Sequence, residues 1–184
     1  MKKAYLFIAN GFEEIEGLTV VDVLRRAGIE CTTVSVTGSE FVTGSHSITV
    51  KADCIFDSTA LNDADLLVLP GGMPGTNHLL AHEGLKKLLT EYNVAGKYLA
   101  AICAAPSVLG QHGFLKGKRA TCYPGFGDKL NGAEYIADAK VIHDGNIITS
   151  RGMGTAIDFS LKLVELLLDA STSAALATTI QYGN

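Results

Sequence analysis

The stretch AAICAAPSVL, at residues 100–109, joins an apolar run to a segment of helical character. The apolar run YLAAI ends directly before Cys103, and small residues and Pro106 follow it. This order predicts that a buried strand turns sharply into a helix at the cysteine. Such a turn resembles the G-x-S-x-G nucleophile elbow, with alanines in place of the glycines. Cys103 is therefore a candidate nucleophile, and the alternative is a buried cysteine that only packs.

Short apolar runs alternate with segments of helical periodicity along the rest of the chain, a pattern typical of parallel strands joined by helical crossovers. Strands are predicted at 4–9, 31–36, 66–69, 98–102 and 147–150, and helices at 15–27, 83–92, 104–112 and 155–168. Hairpins are predicted over 141–150, around Asp144-Gly145, and over 41–50. Thr155 followed by Asp158 predicts a capping box. The fold class is therefore α/β, a three-layer sandwich with a mainly parallel sheet and helices on both faces.

Composition limits the classes of function. The chain has 184 residues, of which 47% are hydrophobic and 18% charged, and it is predicted to form a single domain over 1–184. Its net charge is −4 with dispersed Lys and Arg, so the basic surface expected of a protein that binds nucleic acid or anionic lipid is missing. No apolar stretch approaches the roughly 20 residues of a membrane span. The tail after Ser171 is ambiguous.

Cysteine usage points to a reducing compartment. The cysteines are Cys31, Cys54, Cys103 and Cys122, and no C-x-x-C pair occurs, which disfavours zinc and a dithiol motif. The N-terminal apolar run ends at Asn10-Gly11 without a signal-peptide cleavage site. We therefore expect free thiols and a cytoplasmic location. Cys31 and Cys54 are interpreted as packing residues.

Three predicted strand ends carry unusual residues: NGFEEIE at 10–16, PGG at 70–72, and Cys103. The carboxyl ends of parallel strands share one edge of the sheet, where binding crevices lie. The backbone N–H groups of Gly71, Gly72 and Ala104 are candidates for an oxyanion hole. The alternative for the glycine pair is an ordinary tight turn.

Glu16 is the candidate partner of Cys103, because it lies between apolar residues in a predicted helix. Glu13 and Glu14 are interpreted as ordinary first-turn residues that favour the helix dipole. Lowering a cysteine pKa by about three units requires roughly 4 kcal/mol, and a helix N-terminus supplies at best about 2 kcal/mol. A hydrogen bond to a charged acceptor adds about 1.5–3 kcal/mol. The hypothesis is therefore that burial keeps Glu16 neutral and that it donates a hydrogen bond to a Cys103 thiolate.

Histidine is the usual partner of a catalytic cysteine, but none follows the elbow. His112 and His143 are interpreted as helix-end and hairpin residues. His78 and His82 have the spacing of one helical face but no third ligand nearby, so no metal site is predicted. His46 lies in a polar loop and could reach the crevice or a partner subunit. Cys122 and Tyr123, at a further strand end, are candidate neighbours of the site.

The motifs together resemble the ThiJ/PfpI superfamily, close to the branch of the parkinsonism-associated protein. They are NGFEEIE at 10–16, DVLRRAGI at 22–29, LPGG at 69–72, AAICAAP at 100–106 and TSRGMGT at 149–155. The resemblance implies a flavodoxin-like sandwich and a homodimer. Cys103 matches the reactive cysteine of the family and Glu16 its protonated glutamate, while Gly71, Gly72 and Ala104 match the backbone donors around the thiolate. We expect the 15–27 helix to form the dimer interface through Ile15, Leu18 and Val21.

The family resemblance, the reactive thiol and the elbow give three candidate activities, in that order. The first is a cofactor-independent glyoxalase or deglycase that acts on small reactive carbonyls; the second is an oxidative-stress sensor or chaperone that works through oxidation of Cys103. A cysteine hydrolase or amidotransferase is the third. Ala104 stands where the protease-like branch has histidine, which disfavours a peptidase. Tyr123 replaces a histidine of the parkinsonism-associated protein, and His46 replaces a frequent arginine.

Overall fold

A computed structural model describes residues 1–57 and 60–183. The strands are β1 (Lys3–Ile8), β2 (Glu30–Ser35), β3 (Phe41–Thr43), β4 (Thr49–Lys51), β5 (Cys54–Ile55), β6 (Leu66–Leu69), β7 (Tyr98–Ile102), β8 (Arg119–Ala120), β9 (Glu134–Tyr135), β10 (Val141–Asp144) and β11 (Ile147–Ser150). The helices are α1 (Glu14–Arg26), α2 (Gly75–Ala81), α3 (Glu83–Val94), α4 (Pro106–Gln111), α5 (Ala156–Leu167) and α6 (Ala170–Thr179).

Seven of these strands form the central sheet, in the order β10-β11-β7-β6-β1-β2-β5. All neighbouring strands in it are parallel except β10 and β11, which form an antiparallel hairpin. The predicted strands and both hairpins are confirmed, since β3 and β4 also pair in antiparallel fashion. The carboxyl ends of β1, β6 and β7 therefore meet at one edge of the sheet, as the strand pattern predicted.

The core has one apolar layer on each face of this sheet. Alternate residues of β1 point to opposite faces, so that Leu6 packs with α1 and α5 and Phe7 packs with α3 and α4. Both side chains are essentially inaccessible to solvent. Because both faces are covered, the strands read as continuous apolar runs rather than alternating ones. The arrangement confirms the predicted three-layer sandwich.

The main differences between the predicted and the observed helices concern one helix start, one cap and two further helices. The helix predicted from 104 begins at Pro106, because the N–H of Ala105 bonds to the carbonyl of Ile102 in the turn after β7. The capping box predicted at Thr155 is absent: its hydroxyl bonds the carbonyl of Gly152 instead. The short helix α2 was not predicted, and the ambiguous tail contains α6.

Helix α1 presents two apolar side chains to solvent. Ile15 is 50% exposed and Leu18 is 42% exposed, as predicted for an interface. Val21 does not share this surface, since it packs in the core beside α5, and the prediction for Val21 was wrong. The homodimer itself stays a prediction. Among the described residues, no helix is long and apolar enough to cross a membrane.

Candidate active site around Cys103

Cys103 occupies a strained turn directly after β7. Its φ angle is +64°, in the left-handed region that costs a residue with a side chain about 1–2 kcal/mol. The backbone holds this conformation from two sides, because the Cys103 N–H donates to the carbonyl of Ser150 at 3.0 Å and its carbonyl accepts from the Tyr123 N–H at 2.8 Å. The side chain is half-buried, so solvent reaches the residue. The sharp turn from strand to helix that the sequence predicted at Cys103 is confirmed.

Glu16 extends from α1 to the cysteine. Its side chain is completely buried, and Oε2 accepts a hydrogen bond from the Gly71 N–H at 2.9 Å. Within residues 1–57 and 60–183, no nitrogen or oxygen donates to Oε1. Oε1 and the Cys103 sulfur each lie 3.9 Å from the point where a Cβ on Gly152 would stand. The two side chains also interact directly, since each acts on the pKa of the other through a side-chain hydrogen bond, so the structure brings the two predicted residues together.

The surroundings of Glu16 favour its neutral form. Burial raises the pKa of Glu16 to about 7, while its interactions with Cys103 and with the Gly71 N–H act in the opposite direction. A carboxyl group with this pKa retains its proton over much of the range in which an exposed glutamate is ionised. Glu16 can thus serve as a hydrogen-bond donor and, after losing the proton, as a base.

Cys103 and Glu16 each act on the pKa of the other. Burial and an ionised Glu16 raise the pKa of the Cys103 thiol to about 12. The backbone N–H groups of Ala104 and Gly72 act in the opposite direction and lower this pKa. If the proton stays on Glu16, the repulsion between the two groups disappears and a charge-assisted hydrogen bond to the sulfur replaces it. The first proton lost by the pair therefore leaves either a carboxylate beside a thiol or a thiolate beside a carboxylic acid.

Two of the three predicted backbone donors face the sulfur. The N–H groups of Ala104 and Gly72 donate toward Cys103. The N–H of Gly71 does not share this role, because it is bound to Glu16 Oε2. This corrects the prediction for Gly71: its N–H positions the glutamate. Sequence alone could not distinguish the two partners, since both lie at the same sheet edge.

Gly71 is also required for its small size. A Cβ at this position would lie 2.6 Å from the Cys103 Cβ and 2.7 Å from Glu16 Oε2. We expect Gly71→Ala to lower the free energy of unfolding by about 1–3 kcal/mol through overpacking. Gly154→Ala is the matched control, because nothing lies within 4 Å of a Cβ there. Urea unfolding of both variants measures the difference, and equal stabilities would contradict the crowded geometry at Gly71.

Cys122 and Tyr123 lie beside the site in different ways. Cys122 is fully buried in the core, and burial raises its pKa to about 11, so it is a packing residue rather than a second reactive thiol. Tyr123 is 51% exposed and its ring lies 3.3 Å from the Cβ position of Gly152. Tyr123 therefore borders the entrance to Cys103. The Cys122 side chain packs in the core, and only its backbone lies next to the site.

His46 lies at the tip of the β3–β4 hairpin and contacts the start of α1. Its Nδ1 is 3.1 Å from Glu14 Oε2, and its backbone N–H donates to Glu14 Oε1 at 2.8 Å. Burial acts to raise the pKa of Glu14, but hydrogen bonds from its own backbone, His46 and Ile48 lower it to about 2. His46 therefore connects the hairpin to α1. The hydrogen bonds of His46 in the described part of the chain do not involve Cys103.

The ligand atoms of Glu13, Glu14 and His46 lie within 4.8 Å of one another, so this group could hold a cation. Both carboxylates already accept hydrogen bonds from the hairpin, for example from the Ser45 hydroxyl. The arrangement is thus explained by hydrogen bonding within the chain.

Of the other histidines, His78, His82 and His143 have hydrogen-bond partners, whereas His112 packs beside the ring of Phe114. His78 Nδ1 contacts the carbonyl of Asn10, and His82 caps α3 by accepting from the Leu85 N–H. His112 ends α4, and His143 contacts the carbonyl of Gly145 in its hairpin. The lack of a histidine partner for Cys103, predicted from the sequence, agrees with these positions in the described part of the chain.

One residue of the site was not singled out from the sequence. Arg151 follows β11 and lines a surface cavity of about 360 Å³ together with Tyr123, Gly152 and Met153. The sequence feature that could have pointed to Arg151 is its position directly after β11, the strand that pairs with β7. A lone arginine in a loop is common, however, and only the fold places it at the entrance to Cys103.

The fold and this cysteine–glutamate pair define a known class. The sequence profile of the DJ-1/PfpI family matches residues 2–166, and the chain belongs to that family. It is 42% identical to protein dj-1beta of Drosophila melanogaster over 90% of this chain and 89% of that protein. The crystal structure of Drosophila melanogaster DJ-1beta superposes with a TM-score of 0.95 at 38% identity, covering 100% of this chain and 99% of the other.

Two further relatives bear on function. A protein named a deglycase, from Pyrococcus abyssi, is 34% identical over 90% of this chain and 99% of its own length. The structure of Toxoplasma gondii DJ-1, described as oxidized, superposes with a TM-score of 0.91 at 35% identity and covers both chains completely.

Proposed function

We propose that this protein is a cofactor-independent enzyme that converts small 2-oxoaldehydes such as methylglyoxal to 2-hydroxy acids. The proposal rests on the contact between Glu16 and Cys103. Burial favours the neutral form of Glu16, and the Cys103 side chain is half-buried. The deglycase name of the Pyrococcus abyssi relative supports carbonyl chemistry in the family. Cys103 is the nucleophile and Glu16 the acid and base.

The first step is addition of the sulfur to the aldehyde. The Cys103 thiolate forms a C–S bond with the aldehyde carbon, and the electron pair of the C=O bond moves to its oxygen. Glu16 supplies the proton that this oxygen takes up, giving a hemithioacetal and a carboxylate. The N–H groups of Ala104 and Gly72, which face the sulfur, stabilise the developing negative charge.

The second step moves hydrogen between the two carbons. The Glu16 carboxylate removes the proton from the former aldehyde carbon, and the electrons pass to the ketone oxygen. That oxygen takes up the hydroxyl proton of the first carbon, which leaves an enediolate with its negative charge on the oxygen of the first carbon. Glu16 then returns a proton to the second carbon. The first carbon is thereby oxidised to a thioester and the second is reduced to an alcohol, so no external oxidant or reductant is needed.

The third step is hydrolysis. Water adds to the thioester carbon and gives one proton to the Glu16 carboxylate, the C–S bond breaks, and the Cys103 thiolate is released with the 2-hydroxy acid, so that both residues regain their starting forms. The sum is one methylglyoxal and one water giving one lactic acid. Deglycase activity follows the same steps when methylglyoxal is delivered from its adduct with an amine or a thiol, which leaves with a proton.

Formation of lactate from methylglyoxal by the purified protein tests the proposal. We expect turnover without added metal or thiol cofactor, because the residues that move protons all belong to this chain. Enzymatic determination of lactate against a blank without protein measures it. Lactate formation at the rate of the blank would contradict the proposed activity.

A second candidate is an oxidation sensor, favoured by the exposure of Cys103 and by the oxidized state described for the Toxoplasma gondii relative. In this case peroxide would add oxygen to the Cys103 thiolate, first as sulfenic and then as sulfinic acid, and release water. A neutral Glu16 could donate a hydrogen bond to the oxidised sulfur. Mass spectrometry after mild peroxide treatment distinguishes the two: addition of two oxygens at Cys103 without lactate formation favours the sensor.

A further inference from the structure

Arg151 is a cation without a carboxylate partner at the entrance to the site. Arg25 pairs with Asp53 at 2.6 Å, and Arg26 pairs with Asp22 at 2.7 Å. For the guanidinium of Arg151, the described part of the chain provides neither an ion pair nor a hydrogen bond. Its charge is partly withdrawn from water, since the residue is neither buried nor fully exposed. A guanidinium in this position is available for a ligand.

The backbone fixes Arg151 close to the reacting sulfur. The residue before it, Ser150, accepts the hydrogen bond of the Cys103 N–H at 3.0 Å. The residue after it is Gly152, and a Cβ atom added to this glycine would lie 3.9 Å from the Cys103 sulfur. Arg151 therefore lies between a residue that is hydrogen-bonded to Cys103 and a glycine next to the Cys103 sulfur, and it lines the cavity beside them.

The cavity of about 360 Å³ has one charged residue among those that line it, and this residue is Arg151. Tyr123, Pro124, Met153 and Thr155 are the other residues with side chains that line it. The planar guanidinium matches carboxylate and phosphate groups, to which it donates two parallel hydrogen bonds. A substrate with such a group would place the anion on Arg151 and extend its carbonyl toward Cys103.

We propose that Arg151 determines specificity by selecting carbonyl substrates that bear a carboxylate or phosphate group. This rests on the proposed function for the reaction, although recognition of the anion can be measured without turnover. A 2-oxoaldehyde with a phosphate ester on its third carbon is the substrate to test. It becomes the phosphorylated 2-hydroxy acid by the same internal transfer and uptake of one water, and its phosphate ester stays intact.

Alkylation of Cys103 with a matched pair of reagents tests the anion site directly. Iodoacetate carries a carboxylate and iodoacetamide is its neutral counterpart, so the ratio of their rates reports charge recognition at the same thiol. We expect Arg151→Gln to lower this ratio about fivefold to tenfold and Arg151→Lys to restore most of it, because the ratio follows the cation. The control is Arg119→Gln, at an exposed arginine outside the cavity, which should leave the ratio unchanged. Equal ratios in Arg151→Gln and Arg119→Gln would overturn the inference.

Turnover of two substrates, one with and one without a phosphate group, tests selection by Arg151 separately from the proposed function. Arg151→Gln should lower the ratio of kcat/KM for the phosphorylated 2-oxoaldehyde to kcat/KM for methylglyoxal about tenfold to a hundredfold, mainly through KM for the phosphorylated substrate. An equal loss for both substrates, or none for either, would refute selection by Arg151 while the activity stands. If the wild type turns over neither substrate, the proposed function fails and the alkylation ratio still decides whether Arg151 recognises anions. Protection of Cys103 from iodoacetamide by glycerate and by its phosphate ester shows which anion binds better.

Discussion

Replacing Cys103 with serine should lower kcat/KM for methylglyoxal by about a thousandfold or more, because a serine hydroxyl at neutral pH is a far weaker nucleophile than a thiolate. The substitution changes one atom, and the half-buried position accommodates oxygen in place of sulfur. The fold should be retained, since the backbone hydrogen bonds to Ser150 and Tyr123 do not involve the side chain. Steady-state kinetics with lactate as the measured product checks the effect.

Cys54→Ser provides the matched control. Cys54 is also a partly exposed free cysteine, but it lies in the edge strand β5, away from the Cys103 turn. Burial and the carboxylates of Asp53 and Glu40 raise its pKa, and neither carboxylate is buried as Glu16 is, so we expect no nucleophilic role for Cys54. Cys54→Ser should keep the wild-type rate within about twofold, as for other substitutions outside the site. If both variants turn over methylglyoxal like the wild type, Cys103 is not the nucleophile.

Glu16→Gln should lower kcat by about a hundredfold to ten-thousandfold, the usual contribution of a positioned acid or base. Glutamine can still accept the Gly71 hydrogen bond and donate to the sulfur, so the thiolate should persist and the rate of alkylation at Cys103 should change little. It cannot take a proton from carbon. Stopped-flow alkylation together with steady-state kinetics separates these two functions of Glu16.

Glu16→Leu and Glu13→Gln complete this comparison. Leucine removes both the proton transfer and the hydrogen bond, so alkylation should slow together with turnover. Glu13 is the neighbouring half-buried acid of the same helix turn, and Glu13→Gln should stay within about threefold of wild type because its recorded hydrogen bond is to Ser45. Glu16→Gln with full activity would exclude Glu16 as the base, whereas Glu16→Gln with slow alkylation would give it a structural role.

The sequence predicted the site where local pattern and strand topology are sufficient. Cys103 was found because an unbroken apolar strand stops at a single cysteine followed by small residues, and Glu16 because it is a carboxylate between apolar positions of a helix that begins at the same sheet edge. Short parallel strands that are buried on both faces leave a clear signal. Their carboxyl ends then bring the two residues together.

Other features depend on contacts that the sequence does not encode locally. Helix α2 begins at Gly75, directly after a stretch rich in glycine and proline, which is typical of a loop. Helix α6 is composed mainly of Ala, Ser and Thr and lacks a strong apolar stripe, so packing on α5 decides its structure. The partner of the Gly71 N–H, the burial of Val21 and the position of Arg151 likewise follow from tertiary packing.

The thiolate itself is the most direct test of the mechanism, because the first step begins from a Cys103 anion beside a neutral Glu16 and the later steps depend on it. Titration of thiolate absorbance, as the difference between wild type and Cys103→Ser, measures it. We expect Cys103 to ionise as the pair loses its first proton, near the pKa of about 7 that burial gives Glu16, and kcat/KM to rise with pH over the same range. Glu16→Leu should shift the thiolate signal to higher pH. A wild-type thiolate signal that appears only near pH 12, where burial and an ionised Glu16 place the Cys103 pKa, would contradict the mechanism.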